Sequence, residues 1–117
     1  MLLQKIEHPN ATIFHIKGRL DSSTTPELEQ CILNRLEQGI KNLILDFSEL
    51  EYINSAGLRI LVMSYQRLHP LGGQVMVCGV RDYIAEIFDI SGYNRVFLMY
   101  PDLDQAIRTF SDKQDEQ

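Results

Sequence analysis

Residues 42–61 read NLILDFSELEYINSAGLRIL, and this stretch decides the fold because two periodicities follow one another in it. Asn42 to Phe47 is a nearly continuous apolar run with Asp46 close to its end, which is typical of a strand covered on both faces in a parallel sheet. From Leu58 onward the apolar residues recur at helical spacing. The sequence therefore predicts a central strand, a loop through SELEYIN, and a helix with Ser55 at its N-terminus.

Strands and helices alternate on both sides of this stretch. Two short β-rich runs on either side of His8-Pro9-Asn10 predict an opening hairpin, which Gly18 ends. The other predicted elements are a helix that ends near Gly39, strands at 74–78 and 96–100, a helix at 83–91 stopped by Gly92, and a final helix with the apolar stripe Leu103, Ala106, Ile107 and Phe110. This order predicts an α/β domain with a mixed, mostly parallel sheet of four to five strands and about four helices.

The start of the first helix has two interpretations, which the sequence leaves open. Thr24 with Glu27 fits a capping box, whereas Thr25 with Pro26 places proline at the first helical position. At the other end of the chain, SDKQDEQ is polar, so residues 1–110 are predicted to form one domain and residues 111–117 a disordered tail.

Composition and charge favour a protein partner over a nucleic acid. The chain has 117 residues and a formal net charge of -5, and nucleic-acid binding depends on clustered Lys and Arg. Cys31 and Cys78 fall in apolar patterns without CxxC spacing, which indicates small buried side chains in a reducing compartment. Since no leader and no long apolar segment is evident, we expect a cytoplasmic protein without a membrane partner.

Ser55 is the candidate functional residue, and the sequence allows three roles for it. Ser is a preferred helix N-cap, which would explain its position without any function. A hydrolytic nucleophile would need a base and an oxyanion pocket, and Ile53 stands where the nucleophile elbow has its first glycine. Gly57 is unfavourable in a helix by about 1 kcal/mol relative to Ala, which suggests close approach of an incoming macromolecule to Ser55. The remaining role is a phosphoryl acceptor, and an enzyme is not expected.

Asp46 and the histidines suggest two other kinds of site, and neither is supported. A receiver domain phosphorylated on Asp46 would need further acidic residues at a neighbouring strand end to hold Mg²⁺, and the first strands end in Glu7-His8 and Lys17-Gly18. Asp46 is interpreted as a loop-capping or turn residue. His8, His15 and His69 show no metal-ligand spacing, so we expect no metal site and no cofactor.

The segment LILDFSELEYINSAGLRIL resembles the centre of the STAS-domain family, which is typified by bacterial anti-sigma factor antagonists. The likeness covers nearly the whole chain: GRLD at 18–21, GGQVMVCGV at 72–80 and IFDISG at 87–92 resemble further elements of the family. The family motif commonly reads Asp-Ser-(Ser/Thr/Ala)-Gly-Leu, with its first Ser phosphorylated. Ser55 matches that Ser, whereas Asn54 replaces the usual Asp and Arg59 stands where Gly is frequent.

The resemblance implies a function in transcription regulation by partner switching. The implied partner is an anti-sigma factor that is also a serine kinase, together with a phosphatase that resets Ser55. The implied partner-binding residues are Asp21, Asn54, Ser55, Ala56, Gly57, Leu58 and Arg59. The interpretation of Asp21 as a turn or cap residue in DSSTT agrees equally well with the sequence. The alternative is a STAS interaction module that is not phosphorylated, as a subunit of a transport or sensory complex.

Overall fold

The computed structural model describes the backbone of residues 1–115 and the side chains of residues 1–109. Within that part of the chain, five strands form one mixed sheet that packs with four α-helices, as the sequence predicts. The strands are β1 (Leu2–His8), β2 (Ala11–Leu20), β3 (Asn42–Ile53), β4 (Gln74–Cys78) and β5 (Leu98–Tyr100). The helices are α1 (Thr25–Glu37), α2 (Ser55–Leu68), α3 (Asp82–Ser91) and α4 (Leu103–Asp115).

The order of the strands in the sheet is the order of the strands in the chain. β1 and β2 form the predicted antiparallel hairpin, and β2, β3, β4 and β5 then follow in parallel, each joined to the next through one helix. The carboxyl ends of the parallel strands therefore all lie at one end of the sheet.

Each face of the sheet has its own apolar core. The larger core lies under α1, α2 and α3, where fully buried side chains such as Phe14, Phe47 and Phe88 meet. The smaller core lies on the other face, where Ile13, Ile44 and Met76 pack near Ala106 of α4. β3 contributes to both cores because it is covered on both faces, which confirms its interpretation as a central strand.

β3 is twice as long as predicted, and the prediction of a loop through SELEYIN is wrong. β2 does not end at Gly18; it continues to Leu20, which pairs with Ile53. Between the pairs His15–Asp46 and Lys17–Glu49, β3 advances three residues while β2 advances two, and one further extra residue follows Leu50. Such bulges bend a strand and re-aim its side chains. Gly18, with a φ of 101°, lies between the two irregularities and permits the bend.

The ends of several other elements differ from prediction for local reasons. Thr24 precedes α1, but its hydroxyl donates to the carbonyl of Arg19 at 2.9 Å instead of capping the helix, and Pro26 is not the first helical residue. Thr24 therefore occupies the N-cap position, but it makes no side-chain capping hydrogen bond, and Thr25 is the first helical residue and not the cap. α3 ends at Ser91 and is capped by Gly92, with a φ of 77°, as predicted. A turn at 93–95 shortens β5 to three residues.

α4 extends into the segment predicted as a disordered tail. It runs to Asp115, so the first five residues of that segment have a helical backbone, whereas residues 116–117 lie outside the described residues. Phe110 of the predicted stripe lies outside the described side chains. Disorder of the tail stays a prediction.

Candidate functional site

The candidate site lies where β2 and β3 end side by side. The backbone amide of Asn54 donates to the carbonyl of Leu20 at 3.2 Å, which fixes the end of β3 against the end of β2. Asp21 is the next residue after β2, and Ser55 begins α2 two residues after β3. Residues more than thirty positions apart in the sequence are thus brought to one end of the sheet.

Asn54, and not Ser55, caps α2. Asn54 has an extended backbone, and its side-chain Oδ1 accepts hydrogen bonds from the amides of Ala56 at 3.0 Å and Gly57 at 3.4 Å. These amides are two of the donors that a helix N-terminus leaves unsatisfied. Ser55 is the first helical residue, so its interpretation as the N-cap is wrong.

The Ser55 side chain faces solvent. Ser55 is exposed, and within the described part of the chain its hydroxyl has no hydrogen-bond partner. Arg59, one turn further on, is also exposed, and its guanidinium lies 3.8 Å from a carboxylate oxygen of Glu29 on α1. Ala56 and Leu58 are half-buried, and Leu58 packs against the larger core.

Gly57 faces the interior, which overturns its proposed role as the point of close approach for a macromolecule. A Cβ added to Gly57 would lie 2.7 Å from Cγ1 of Ile53, 3.0 Å from Cγ of Leu20 and 3.1 Å from the carbonyl oxygen of Leu20. The glycine lets the first turn of α2 sit directly on the ends of β2 and β3. Its effect on Ser55 is indirect, because it sets the height of the helix start above the sheet.

Asp21 shapes the loop between β2 and α1. One oxygen of its carboxylate accepts hydrogen bonds from the hydroxyl of Ser23 at 2.8 Å and from the Ser23 amide at 3.0 Å. These two hydrogen bonds, in that order of importance, hold the pKa of Asp21 below its ordinary value near 3.8. The other oxygen lies 3.6 Å from Nε of Arg19. Asp21 is therefore ionised near neutral pH and carries its charge at the same end of the sheet as Ser55.

Two aromatic residues border this end of the sheet, and sequence reasoning missed both. The guanidinium carbon of Arg19 lies 4.0 Å from the ring centroid of Tyr52, which is partly exposed. The hydroxyl of Tyr83, on α3, donates to the carbonyl of Glu51. The longer β3 places these residues beside the site, so the wrong end assigned to β3 concealed them.

A second polar cluster lies further back on β2 and β3, where the first bulge occurs. His15 contacts the carboxylate of Asp46 at 3.0 Å through Nδ1 and that of Glu49 at 2.6 Å through Nε2. The bulge brings these two carboxylates, three residues apart, to the same imidazole. Asp46 lies within β3 and is buried, so its interpretation as a residue of a turn after the strand is wrong, although its Oδ1 does accept from the amide of Ser48.

This cluster shifts the pKa values of its members in opposite directions. The hydrogen bond to Asp46 raises the pKa of His15 above its ordinary 6.5; partial burial opposes this, and Glu49 adds to it. Burial raises the pKa of Asp46, but the hydrogen bonds with His15 and Ser48 outweigh it, so the net pKa is lowered. The hydrogen bond with His15 lowers the pKa of Glu49. The two carboxylates therefore favour the charged imidazolium of His15, and the imidazolium in turn favours the ionised carboxylates.

The described residues contain no further candidate for a nucleophile and none for a metal site. Burial raises the pKa of the Cys78 thiol to about 12, so it does not form a thiolate near neutral pH, and Cys31 is half-buried. No group of three or more His, Cys, Asp or Glu in the described residues has the geometry to hold a metal ion. None of the described helices is both long and apolar enough to span a bilayer.

The same architecture is found in known proteins. A model of the STAS domain matches residues 3–106. The anti-sigma-B factor antagonist of Staphylococcus epidermidis is 27% identical over 90 residues, which are 77% of this chain and 83% of that protein. The crystal structure of an anti-sigma factor antagonist from Mycobacterium paratuberculosis is 27% identical and covers 92% of both chains, with a TM-score of 0.84.

A more distant similarity concerns the fold alone. The structure of the Bacillus cell fate determinant SpoIIAA in its phosphorylated form is 18% identical, covers 93% of this chain and 99% of that chain, and gives a TM-score of 0.78. The family match extends from β1 into α4 and includes the ends of β2 and β3, where the candidate site lies. The chain therefore belongs to the STAS domain family, of the type represented by the anti-sigma factor antagonists.

Proposed function

We propose that this protein is an anti-sigma factor antagonist that works by partner switching in the bacterial cytoplasm. With Ser55 unmodified, it binds an anti-sigma factor that is also a serine kinase, and the sigma factor is released. Phosphorylation of Ser55 ends the binding, and a phosphatase restores it. The protein itself is a binding partner and substrate, not an enzyme.

The observation that carries this proposal is the exposed Ser55 hydroxyl, which has no partner in the described residues, at the first position of α2. A kinase needs a hydroxyl that can approach the γ-phosphorus of ATP in line with the leaving ADP. In that transfer the bond from Ser55 Oγ to phosphorus forms, the bond to ADP breaks, and the hydroxyl proton passes to a base of the kinase. Since Asn54 provides the cap, the Ser55 hydroxyl is not engaged in holding the helix.

The charge of a phosphate explains how such a modification would act on binding and not on folding. It adds about -1.5 to -2 charges, and at a helix N-terminus the helix dipole favours negative charge by about 0.3 to 1 kcal/mol. The fold should therefore tolerate it. Within an interface the same group would lose its hydration and lie near like charges, which weakens binding. A loss of about 4 kcal/mol in binding free energy already lowers the affinity a thousandfold.

The relatives support the proposal at two levels. Proteins about one quarter identical to this chain are named as antagonists of anti-sigma factors. A protein of the same fold has been solved in a phosphorylated form, so this architecture is compatible with a phosphate group. The residues bordering Ser55, namely Asp21, Asn54, Ala56, Leu58 and Arg59, are proposed to form the binding surface, with Gly57 beneath it.

The experiment that tests the proposal captures the partner with Ser55→Ala, which cannot be phosphorylated. The tagged variant is incubated with native extract, and the captured protein is identified by mass spectrometry. The recombinant partner is then incubated with the unmodified chain and ATP, and the modified peptide is mapped. We expect an anti-sigma factor, with phosphate on Ser55 and on none of the other serines.

Binding measurements complete this test. Ser55→Glu should weaken binding of the captured partner at least a hundredfold. Ser91→Glu, which introduces the same charge at the far end of α3, should leave it unchanged. Phosphate on Ser22, Ser23 or Ser48, or equal binding by the two Glu variants, would contradict the proposal.

The second candidate function is a STAS interaction module that is not phosphorylated, as a subunit of a transport or sensory complex. Asn54 favours it, because a neutral residue stands where the phosphorylated family members usually carry Asp. In that case the captured partner would lack kinase activity, and the chain isolated from its native cells would carry no phosphate at Ser55.

A further inference from the structure

Arg59 lies one helical turn after Ser55 on α2. The two residues are four apart on α2, so their side chains are neighbours on the same face of the helix. Both are exposed, and the side chain of Arg59 retains 63% of its accessible surface. An acidic group placed four residues before a basic one is the favourable orientation for such a pair.

The present partner of Arg59 holds it only weakly. The contact between the guanidinium and Glu29 is 3.8 Å, longer than a charge-assisted hydrogen bond, and the Glu29 side chain is itself 31% exposed. Exposed ion pairs of this kind contribute little to stability. Arg59 is therefore free to exchange Glu29 for a stronger anion at small cost.

A phosphate on Ser55 would be that stronger anion. It carries up to two charges and three acceptor oxygens, and a planar guanidinium can bind two of those oxygens at once. Two other arginines among the described residues lie near this end of the sheet, and both have partners. Arg19 lies over the ring of Tyr52 and close to Asp21, and Arg81, just before α3, donates to the carbonyl of Ser48.

We propose that Arg59 is a positioning residue for phosphorylated Ser55: it leaves Glu29 on α1 and binds the phosphate on its own helix. This inference rests on the phosphorylation of Ser55 in the proposed function. The exchange has two effects on the binding surface. It fixes the phosphate in one direction along α2, and it leaves Glu29 without its cation, so the surface between α1 and α2 becomes more negative.

The test uses a chain with phosphoserine installed at position 55 during synthesis, so no kinase is required. The second ionisation of the phosphate, ordinarily near pKa 6, is followed by phosphorus NMR as a function of pH. Arg59→Gln should raise this pKa by about 0.3 units, roughly a twofold change in the dissociation constant. Arg59→Lys should restore part of the shift. Glu29→Gln should lower the pKa in the presence of Arg59 and have a much smaller effect in the Arg59→Gln chain.

The matched control is Arg67→Gln, which removes the same charge from the last turn of α2, about 18 Å away along the helix axis. At physiological salt this distance exceeds the screening length, so the phosphate should titrate as in the parent chain. Equal shifts for the Arg59 and Arg67 variants, or no shift for either, would overturn the inference. Because the phosphate is installed directly, a negative result leaves the proposed function standing. Conversely, a failure to find a kinase would leave this result unaffected.

Discussion

At the scale of single residues, Asn54 holds the start of α2 through two hydrogen bonds. Asn54→Ala should lower the free energy of unfolding by about 1 kcal/mol, because the two amides lose their acceptor. Asn54→Asp should keep the cap and gain about 0.3 to 1 kcal/mol from the helix dipole. Urea unfolding of the three chains measures both changes. Ser55→Ala is the control, with a change below about 0.5 kcal/mol; a loss equal to that of Asn54→Ala would mean that the hydroxyl is the cap after all.

Gly57 gives a prediction of the opposite kind, in which a better helix former destabilises the protein. Alanine favours a helix by about 1 kcal/mol over glycine. The added methyl, however, would lie 2.7 Å from Ile53 and 3.0 Å from Leu20, both of which are buried. We expect Gly57→Ala to cost about 1 to 3 kcal/mol net in thermal or urea unfolding. A stabilised variant would show that the first turn of α2 has room to rise from the sheet.

At the scale of elements, Asp21 in the loop between β2 and α1 has two proposed roles: its charge contacts the partner, or its carboxylate shapes the loop. Asp21→Asn keeps an acceptor for Ser23 but removes the charge, whereas Asp21→Ala removes both. If the partner binds the charge of Asp21, both variants should bind the partner at least tenfold more weakly, a loss of about 1.4 kcal/mol. If the carboxylate only shapes the loop, Asp21→Asn should bind like the parent chain. Titration calorimetry with the captured partner distinguishes the two, and melting temperatures show whether the loop has been lost.

The pairing of β2 with β3 should depend on pH through His15. A histidine whose pKa is raised in the folded state stabilises the fold fully below its unfolded value near 6.5, and this contribution is lost as pH rises through the folded pKa. The lowered pKa values of Asp46 and Glu49 act in the opposite sense, and their contribution is lost on acidification below about pH 4. Stability from this cluster is therefore greatest between about pH 5 and 6.5.

The measurement is the urea midpoint from pH 5.5 to 9. His15→Gln should remove the part of the alkaline decrease that His15 contributes, while His69→Gln, on an exposed histidine that stacks with Tyr65, should retain it. If the urea midpoint of His15→Gln still falls with rising pH as in the parent chain, that fall is caused by other groups.

The same two strands show what the sequence could and could not predict. The alternation of strands and helices was predictable because apolar periodicity is local, and β4 was predicted with its observed bounds. The continuation of β3 beyond Phe47 was not predictable, because that part of the strand pairs only with β2, in a register that contains two bulges. The meeting of His15 with Asp46 and Glu49 follows from that register. Asn54 and Ser55 are both good caps, so composition alone could not choose between them.

At the scale of the whole molecule, partner contacts should be confined to one end. The site lies at the carboxyl ends of β2 and β3, whereas the hairpin turn at His8–Asn10 and the segment 39–42 lie at the other end of these strands. The molecule is 41 Å in its longest dimension. In an NMR titration with the captured partner, we expect amide shifts at 19–24 and 51–59, together with the start of α3. Equal shifts at 8–12 or 39–42 would indicate a different docking end.

The sequential order of the strands has a consequence for how the protein is made. Each strand pairs with the one synthesised just before it, so no strand waits for a later one to take its place between neighbours. The continuous segment 11–68 contains the elements that together hold the site, namely β2, α1, β3 and α2. As the nascent chain leaves the ribosome, Ser55 and the proposed binding residues from Asp21 to Arg59 have therefore all been translated before β4, α3, β5 and α4. Errors of translation after that point would fall on the supporting elements and on Tyr83, and not on Ser55 or the proposed binding residues.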